Sequence, residues 1–432
     1  MPNSTLTGST LRRPWTQVWV QGWHHELTAT VLSWSVLGIA ASIASWAPVL
    51  VIVCALIVAW RRPDLRDRFR CGAQARHAIR RFTKATWLCM IIGRDGRIPT
   101  VMEISITPVG NHFLVRLPVG MHFEPMEARA PEIASALGAR SVLVKPVRSD
   151  ASLVEILEVR TSAFPEILQS NLTGVRQTDL WQPFPFGIAE DGNVIHLGLP
   201  EHNVLIGGEP GSGKSVALSS IVAMAALDPS VSITLLDGKQ VELAAWASVA
   251  ETFCGPDLEE AISALTHLQQ LMDERYRVLL ADRHRKIEPS GSFGLRLVVI
   301  DELAFYLRGG KKADRDAFAE LLRDLISRGR AAGIIVVAAT QKPSHEVVPT
   351  WIRDLFAFRL AMRCSSNEAS DTILGSGWAT QGFTAMSIEP RQRGVGYLLA
   401  EGGTPMLMKL PFLSDDDIDQ IAKNAAELRG SP

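Results

Sequence analysis

Residues 204–215, VLIGGEPGSGKS, restrict the possible folds of this chain more than any other stretch. Val204, Leu205 and Ile206 run into Gly207 and Gly208. Glu209, Pro210, Gly211, Ser212 and Gly213 then lead to Lys214 and Ser215, and an apolar run begins at Val216. From Gly208 the spacing is G-x-x-x-x-G-K-S, set between a predicted strand and a predicted helix. Glycines allow backbone N–H groups to turn inward around phosphate oxygens, and the helix start adds its dipole. Lys214 suits the β- and γ-phosphates, and the Ser215 hydroxyl suits Mg²⁺. Gly208–Val216 are therefore expected to bind a nucleoside triphosphate, ATP with Mg²⁺.

A hydrolytic site needs acids at the end of a neighbouring strand, and LRLVVIDEL (295–303) supplies them. Asp301 is expected to hold the Mg²⁺ shell with Ser215, and Glu302 to activate the attacking water. GIIVVAATQ (333–341) is a further buried strand, with Gln341 at the carboxyl end where α/β sheets place ligands. Gln341 there can sense the γ-phosphate through water or simply cap the strand. VSITLLDG (231–238), LFAFRLAMR (355–363), GVGYLLA (394–400) and PMLMKL (405–410) read as more strands. Helices are predicted over 216–227, 258–280 (with Glu274 and Arg275 on its polar side), 315–327 and 415–428. The fold class is α/β, a P-loop NTPase core with at least five strands.

Before that core the pattern differs. VMEISITPV (101–109) and HFLVRLPVG (112–120) read as a hairpin around Gly110-Asn111. A helix over 127–137 ends at Gly138, and 141–147 and 152–160 read as two more strands. The result is a small α+β domain, 88–178, without catalytic residues. Residues 172–185 read as a linker, and GIAEDGNVIHLGL (187–199) as a hairpin turning at Asp191-Gly192.

The net charge of −1 gives no overall sign of nucleic acid, but it hides an asymmetry. Residues 1–100 hold thirteen Arg or Lys against four acids, so the remainder is about −10. Residues 27–60 carry no charge over 34 positions, enough for one overlong or two short membrane helices broken near Pro48. Arg12, Arg13, Arg61 and Arg62 flank this run, favouring a hairpin with both ends cytoplasmic. Nine basic residues lie between Arg61 and Lys84. They suit anionic membrane lipid or nucleic-acid phosphates. The five cysteines lack metal-ligand spacing and fit a reducing compartment. The expected order is a tail (1–26), a transmembrane segment (27–60), a basic juxtamembrane segment (61–87) and the small domain (88–178). The ATPase domain (179–412) and a C-terminal helix (413–432) follow.

With these residues in place, the chain resembles the FtsK/SpoIIIE-type double-stranded DNA translocases. Within them it is most similar to the shorter conjugative-transfer (Tra) proteins of actinomycete plasmids and integrative elements. The matching runs are HNVLIGGEPGSGKS, DGKQVEL (237–243), LVVIDELA (297–304), SRGRAAGI (327–334), ATQKPS (339–344) and FRLAMRCSS (358–366). The resemblance implies a RecA-like core assembled into a homo-oligomeric ring, expected to be a hexamer, around duplex DNA pumped by ATP hydrolysis. It also implies a multi-pass anchor in the cell membrane with the ATPase cytoplasmic, and contact with other transfer proteins of the same element. Lys214, Ser215, Asp301, Glu302 and Gln341 become the nucleotide-site residues. Arg328, Arg330 or Arg359 would act in trans on the γ-phosphate of a neighbouring subunit.

The chain departs from the cell-division members of that group. It has a hairpin where they have four spans, and it lacks their long proline- and glutamine-rich linker. The 22 residues after Leu410 are too few for a winged-helix domain. In SSNEASDTIL (365–374), Asn367, Ala369 and Asp371 replace a lysine, an acid and an arginine. The expected function is a membrane-anchored translocase of double-stranded DNA in conjugative transfer. The alternatives are an ATPase driving protein export and a regulatory or maintenance ATPase of a mobile element.

Overall fold

The computed structural model describes residues 63–430 except 108, 148, 162–163, 342, 345–347 and 401. The predicted transmembrane segment 27–60 and the tail before it lie outside the described residues. Among the described residues no helix is long and apolar enough to cross a membrane. The chain divides into two compact units, Met1–Ala163 and Phe164–Pro432.

The first unit is an antiparallel sheet in the order β1 (Thr100–Ile106), β2 (Gly110–Arg116), β4 (Leu153–Val159), β3 (Ser141–Pro146). Among the described residues three helices accompany it: α1 (Pro63–Leu88), α2 (Phe123–Ala128) and α3 (Ala130–Leu137). From Pro63 onward the basic segment is thus a helix, and its second half belongs to this unit. Ala78, Phe82 and Ala85 are buried, and Phe82 stacks on Phe113 at 4.8 Å. Arg81 of that run lies 3.6 Å from the buried Glu158, which also accepts from Arg160 at 2.9 Å and Asn111 at 2.5 Å. The Arg81 charge is therefore engaged by this unit.

Two local expectations change. The single helix over 127–137 is two helices, because Pro131 lacks an N–H and its ring would clash with a carbonyl one turn earlier. The chain restarts at Arg129, with proline in the first turn of α3. The first hairpin turns between Thr107 and Gly110, whose backbones exchange bonds of 2.8 and 3.2 Å, so Gly110 and Asn111 already belong to β2. A Cβ on Gly110 would sit 1.8 Å from the Glu158 carbonyl oxygen. Backbone cannot yield there as a side-chain end can. Gly110→Ala should cost about 2 kcal/mol or more of this unit's stability, read as a lowered midpoint of thermal unfolding.

The second unit is built on a ten-stranded sheet. Its strands are β5 (Phe184–Ala189), β6 (Val194–Leu197), β7 (Val204–Gly207), β8 (Ser232–Leu236), β9 (Thr252–Cys254) and β10 (Arg296–Ile300). β11 (Ile334–Thr340), β12 (Phe358–Met362), β13 (Val395–Leu399) and β14 (Met406–Lys409) complete it. The order is β6-β5-β14-β13-β12-β7-β11-β10-β8-β9, parallel from β12 to β9 and antiparallel on the other side. All seven residues of β11 are buried, as a strand covered on both faces requires.

Alternate residues of the central strands feed two cores. Val204, Ile206, Ile233, Leu235, Leu297, Val299, Ile335 and Val337 enter one, with α4 (Lys214–Ala226) and α10 (Asp415–Leu428). Leu205, Leu236, Val298, Ile300, Ile334 and Val336 enter the other, with α5 (Leu258–Ala281) and α7 (Lys312–Arg328). α4 is apolar all round and almost wholly buried, as a helix inside a layered fold must be. Shorter helices α6 (Leu303–Arg308), α8 (Thr350–Arg353) and α9 (Asn367–Leu374) fill the connections.

The boundary between units falls earlier than residue 178. Phe412 N–H donates to Leu168 O at 2.6 Å, Lys409 Nζ to Glu166 O at 2.9 Å, and Thr178 N–H to Leu227 O at 3.1 Å. These bonds tie 164–178 to the ATPase unit. Arg275 is not on a polar face: it is buried, donates to Ala332 O at 2.6 Å and lies over the Phe293 ring at 5.2 Å. Burial, then Arg296, lowers its pKa to about 10. Glu274 beside it is exposed.

Candidate active site

The parallel register brings the functional residues together. Gly207 pairs with Thr340 on one side and Ala361 on the other, and Ile300 pairs with both Ala338 and Leu236. The carboxyl ends of β7, β11, β10 and β8 therefore stop at one edge, and the residues just beyond them share one cleft.

Three backbone bonds pin the phosphate loop to that edge. Gly208 N–H donates to Thr340 O at 3.3 Å, Glu209 N–H to Arg363 O at 2.9 Å, and Gly394 N–H to Ser212 O at 3.0 Å. The Glu209 carboxylate adds an ion pair with Arg363 at 2.6 Å. Pro210 and Gly211 form the exposed tip. Gly213 stands at φ 114°, and a Cβ on it would meet the Gly394 Cα at 2.9 Å, so only glycine serves there.

α4 then starts at Lys214 with no side chain capping it, and its first internal bond beyond the cap is Ala217 N–H to Gly213 O. The N–H groups of Lys214, Ser215 and Val216 consequently have no partner within the helix, which suits an anion. Lys214 is only 5% exposed. Burial, then the neighbouring Lys239, lowers its pKa, while Glu302 and Asp301 oppose the shift. Ser215 and Val216 are half-buried at the same helix start.

Asp301 and Glu302 lie at the end of β10, 3% and 9% exposed. Thr340 Oγ1 donates to Glu302 Oε1 at 2.9 Å, and Gln341 N–H donates to Oε2 at 3.1 Å. The carboxylate is thus oriented by the end of β11, and the backbone of Gln341 helps to orient it. Asp301 Oδ2 is buried without a hydrogen-bond partner. Burial is the main cause of its pKa rising from 3.8 to about 6, with Lys239 opposing. The orphaned, buried carboxylate oxygen at the end of β10 and the Ser215 hydroxyl at the start of α4 are hard-oxygen donors of the kind that suit Mg²⁺.

The three candidate trans arginines are held apart from this cluster. Arg328 donates to Asp273 at 2.5 Å and Asp324 at 2.9 Å and lies over the Tyr276 ring at 5.6 Å. Arg330 donates to Glu201 at 3.3 Å, and Lys286 also pairs with that carboxylate. Arg359 lies 3.6 Å from Asp354, its Nε is buried without a partner, and burial lowers its pKa. Side-chain exposures of 46% and 50% leave Arg328 and Arg330 at the surface, whereas Arg359, at 20%, is largely covered. Exposed ion pairs contribute only about 0–1 kcal/mol, so either surface arginine can change partner cheaply.

Sequence reasoning did not single out Lys239, whose ammonium lies 3.5 Å from Asp301 Oδ2 and 3.8 Å from Glu302 Oε2. Its signals were its place two residues beyond Asp237 at a strand end and within the matching run DGKQVEL (237–243). Asp371, which departs from the pattern of the cell-division members, accepts from the N–H groups of Gly377 and Ala379 at 2.8 Å, and so orders the turn after α9.

The model of the FtsK/SpoIIIE family matches residues 165–374. The DNA translocase FtsK of Streptococcus pneumoniae (strain ATCC BAA-255 / R6) is 27% identical over 350 residues, covering 74% of this chain and 43% of that protein. The DNA translocase FtsK of Lactococcus lactis subsp. lactis (strain IL1403) is 26% identical over 348 residues, covering 74% and 44%. The chain thus spans less than half the length of these curated relatives. Among solved structures, the pCW3 conjugation coupling protein TcpA, in monomer form with ATPγS, superposes with a TM-score of 0.54 at 18% identity. That match covers 81% of this chain and 99% of TcpA. EssC (ATPases 2 and 3) from Geobacillus thermodenitrificans gives a TM-score of 0.52 at 14% identity, covering 62% and 52%. Both share the fold. The stretch that matches the FtsK/SpoIIIE family model, residues 165–374, carries the phosphate loop, the acidic pair and Gln341.

Proposed function

We propose that this protein is a membrane-anchored ATPase that moves double-stranded DNA during conjugative transfer. The observation that carries the reading is the single cleft at the strand ends. It joins an uncapped helix start, a buried lysine, an orphaned carboxylate oxygen and an oriented glutamate in a chain whose relatives are named DNA translocases. The fold shared with a conjugation coupling protein along nearly that protein's whole length supports the transfer role. The uncharged run 27–60 between basic flanks supports the anchor.

In this reading the N–H groups at the start of α4 and the Lys214 ammonium bind the phosphates and neutralise charge that develops as the γ-phosphoryl group leaves. Ser215 and Asp301 hold Mg²⁺, which supplies Lewis-acid stabilisation of the phosphate oxygens. Glu302, fixed by Thr340 and Gln341, accepts a proton from the attacking water. The Gln341 side chain follows the γ-phosphate, and Arg328 or Arg330 of a neighbouring subunit in a ring completes the site. DNA would be gripped through its phosphates, which needs no base-reading motif.

The test is ATP hydrolysis by the purified full-length chain in detergent, with and without duplex DNA, beside Lys214→Ala. The expected result is hydrolysis stimulated by duplex DNA, weakened by salt and absent from Lys214→Ala. Displacement of a bound third strand then reports movement. Hydrolysis indifferent to any duplex would remove the DNA substrate and favour protein export.

A further inference from the structure

Lys239 is the first side chain after the Asp237-Gly238 strand end, and its position requires an account of its own. Its ammonium is 3.5 Å from Asp301 Oδ2 and 3.8 Å from Glu302 Oε2. Neither contact is a hydrogen bond, and Asp301 Oδ2 has none from any group. A lysine serving only to stabilise this fold would close that bond, since a charge-assisted pair gains most at about 2.7–2.9 Å. The ammonium instead faces both acids and stays loose, one third exposed, while both carboxylates are nearly buried.

The loop that carries it is anchored at its base and open at its tip. The Asp237 carboxylate accepts the N–H groups of Lys239 at 3.0 Å, Gln240 at 2.9 Å and Leu243 at 2.8 Å. Gln240 takes a left-handed φ of 59°, a conformation that a non-glycine residue adopts only under local constraint. Val241 at the tip is 74% exposed. One buried aspartate thus fixes the loop that carries both the cation beside the acids and an apolar residue at the surface.

We propose that Lys239 is a place-holding cation. Its ammonium offsets part of the charge of Asp301 and Glu302, and metal–nucleotide binding displaces it from them. A divalent ion on Asp301 and an ammonium against the same oxygen repel each other across a poorly solvated cleft, so the two cannot share the site. Lys239 is in this sense a positioning residue that acts through the two acids. The inference rests on the reading of this cleft as a metal–nucleotide site.

The test uses Mn²⁺ as the probe, titrated without nucleotide into the full-length chain and followed by electron paramagnetic resonance. Lys239→Met should bind Mn²⁺ at least about tenfold more tightly than the parent chain, because no internal cation has to leave. The gain should vanish in the Lys239→Met/Asp301→Asn double variant, and Lys239→Arg, which keeps the charge, should bind as the parent does. If Lys239→Met does not fold, Lys239→Gln supplies the same comparison with a neutral polar head. Unchanged or weaker Mn²⁺ binding by a folded neutral variant overturns the proposal, since Lys239 would then be structural or a phosphate ligand. Binding of a fluorescent ATP analogue to the parent and to Lys214→Ala reports separately on the nucleotide site, so a failure of that reading is distinguishable.

Discussion

Glu302→Gln is expected to lower kcat for ATP hydrolysis by about 10²–10⁴-fold and to leave ATP binding intact. The amide is isosteric, and its one oxygen, placed where Oε1 now sits, can accept from Thr340 Oγ1 at 2.9 Å and from the Gln341 N–H at 3.3 Å. The side chain therefore keeps its place. It loses the ability to take a proton, and that loss appears in the chemical step rather than in ground-state binding. Single-turnover hydrolysis of pre-bound ATP measures the step directly. A variant hydrolysing at more than a tenth of the parent rate would mean that another group activates the water. Thr340→Val is a milder companion, because it removes one of the two orienting donors and leaves the base.

The strands that carry this site were legible because their residues are apolar on both faces. All seven residues of β11 and the four of β7 are buried, and such runs cannot be surface strands. Asp301, Glu302 and Gln341 were found because each follows one of these runs, and a parallel sheet gathers its strand ends. Lys239 was not found. It follows a strand end as well, but only the pairing of β8 with β10 sets it beside the acids. That pairing joins distant segments and leaves no local pattern. Arg275 failed for the opposite reason. Helical spacing sets it next to Glu274, yet its compensating partners, Ala332 O and the Phe293 ring, come from other parts of the chain. The small domain was read from its four strands. Its first helix was hidden in a basic segment whose apolar stripe of Ala78, Phe82 and Ala85 is diluted by charge.

Asp301→Asn should abolish most activity while making the metal-free protein more stable. Burial raises the Asp301 pKa from 3.8 to about 6. A carboxyl raised in the folded state favours folding most below about pH 4, and the advantage is lost as pH rises through about 6. At pH 7.5 the ionised group is therefore held at a cost. About two pKa units correspond to roughly 3 kcal/mol. Asparagine gives up the favourable contact with Lys239 but keeps the shape, so a net gain of about 1–3 kcal/mol is expected. In EDTA the variant should unfold several degrees higher than the parent at pH 7.5, and the gap should close below about pH 4. Hydrolysis should meanwhile fall at least about 10²-fold, because loss of a metal-holding oxygen removes several kcal/mol of transition-state stabilisation. A variant less stable than the parent across the whole pH range would mean that the Lys239 pair outweighs desolvation, and that the acid serves the fold as well as the metal. Opposite signs for stability and activity at one residue are what a site held ready for a divalent ion requires.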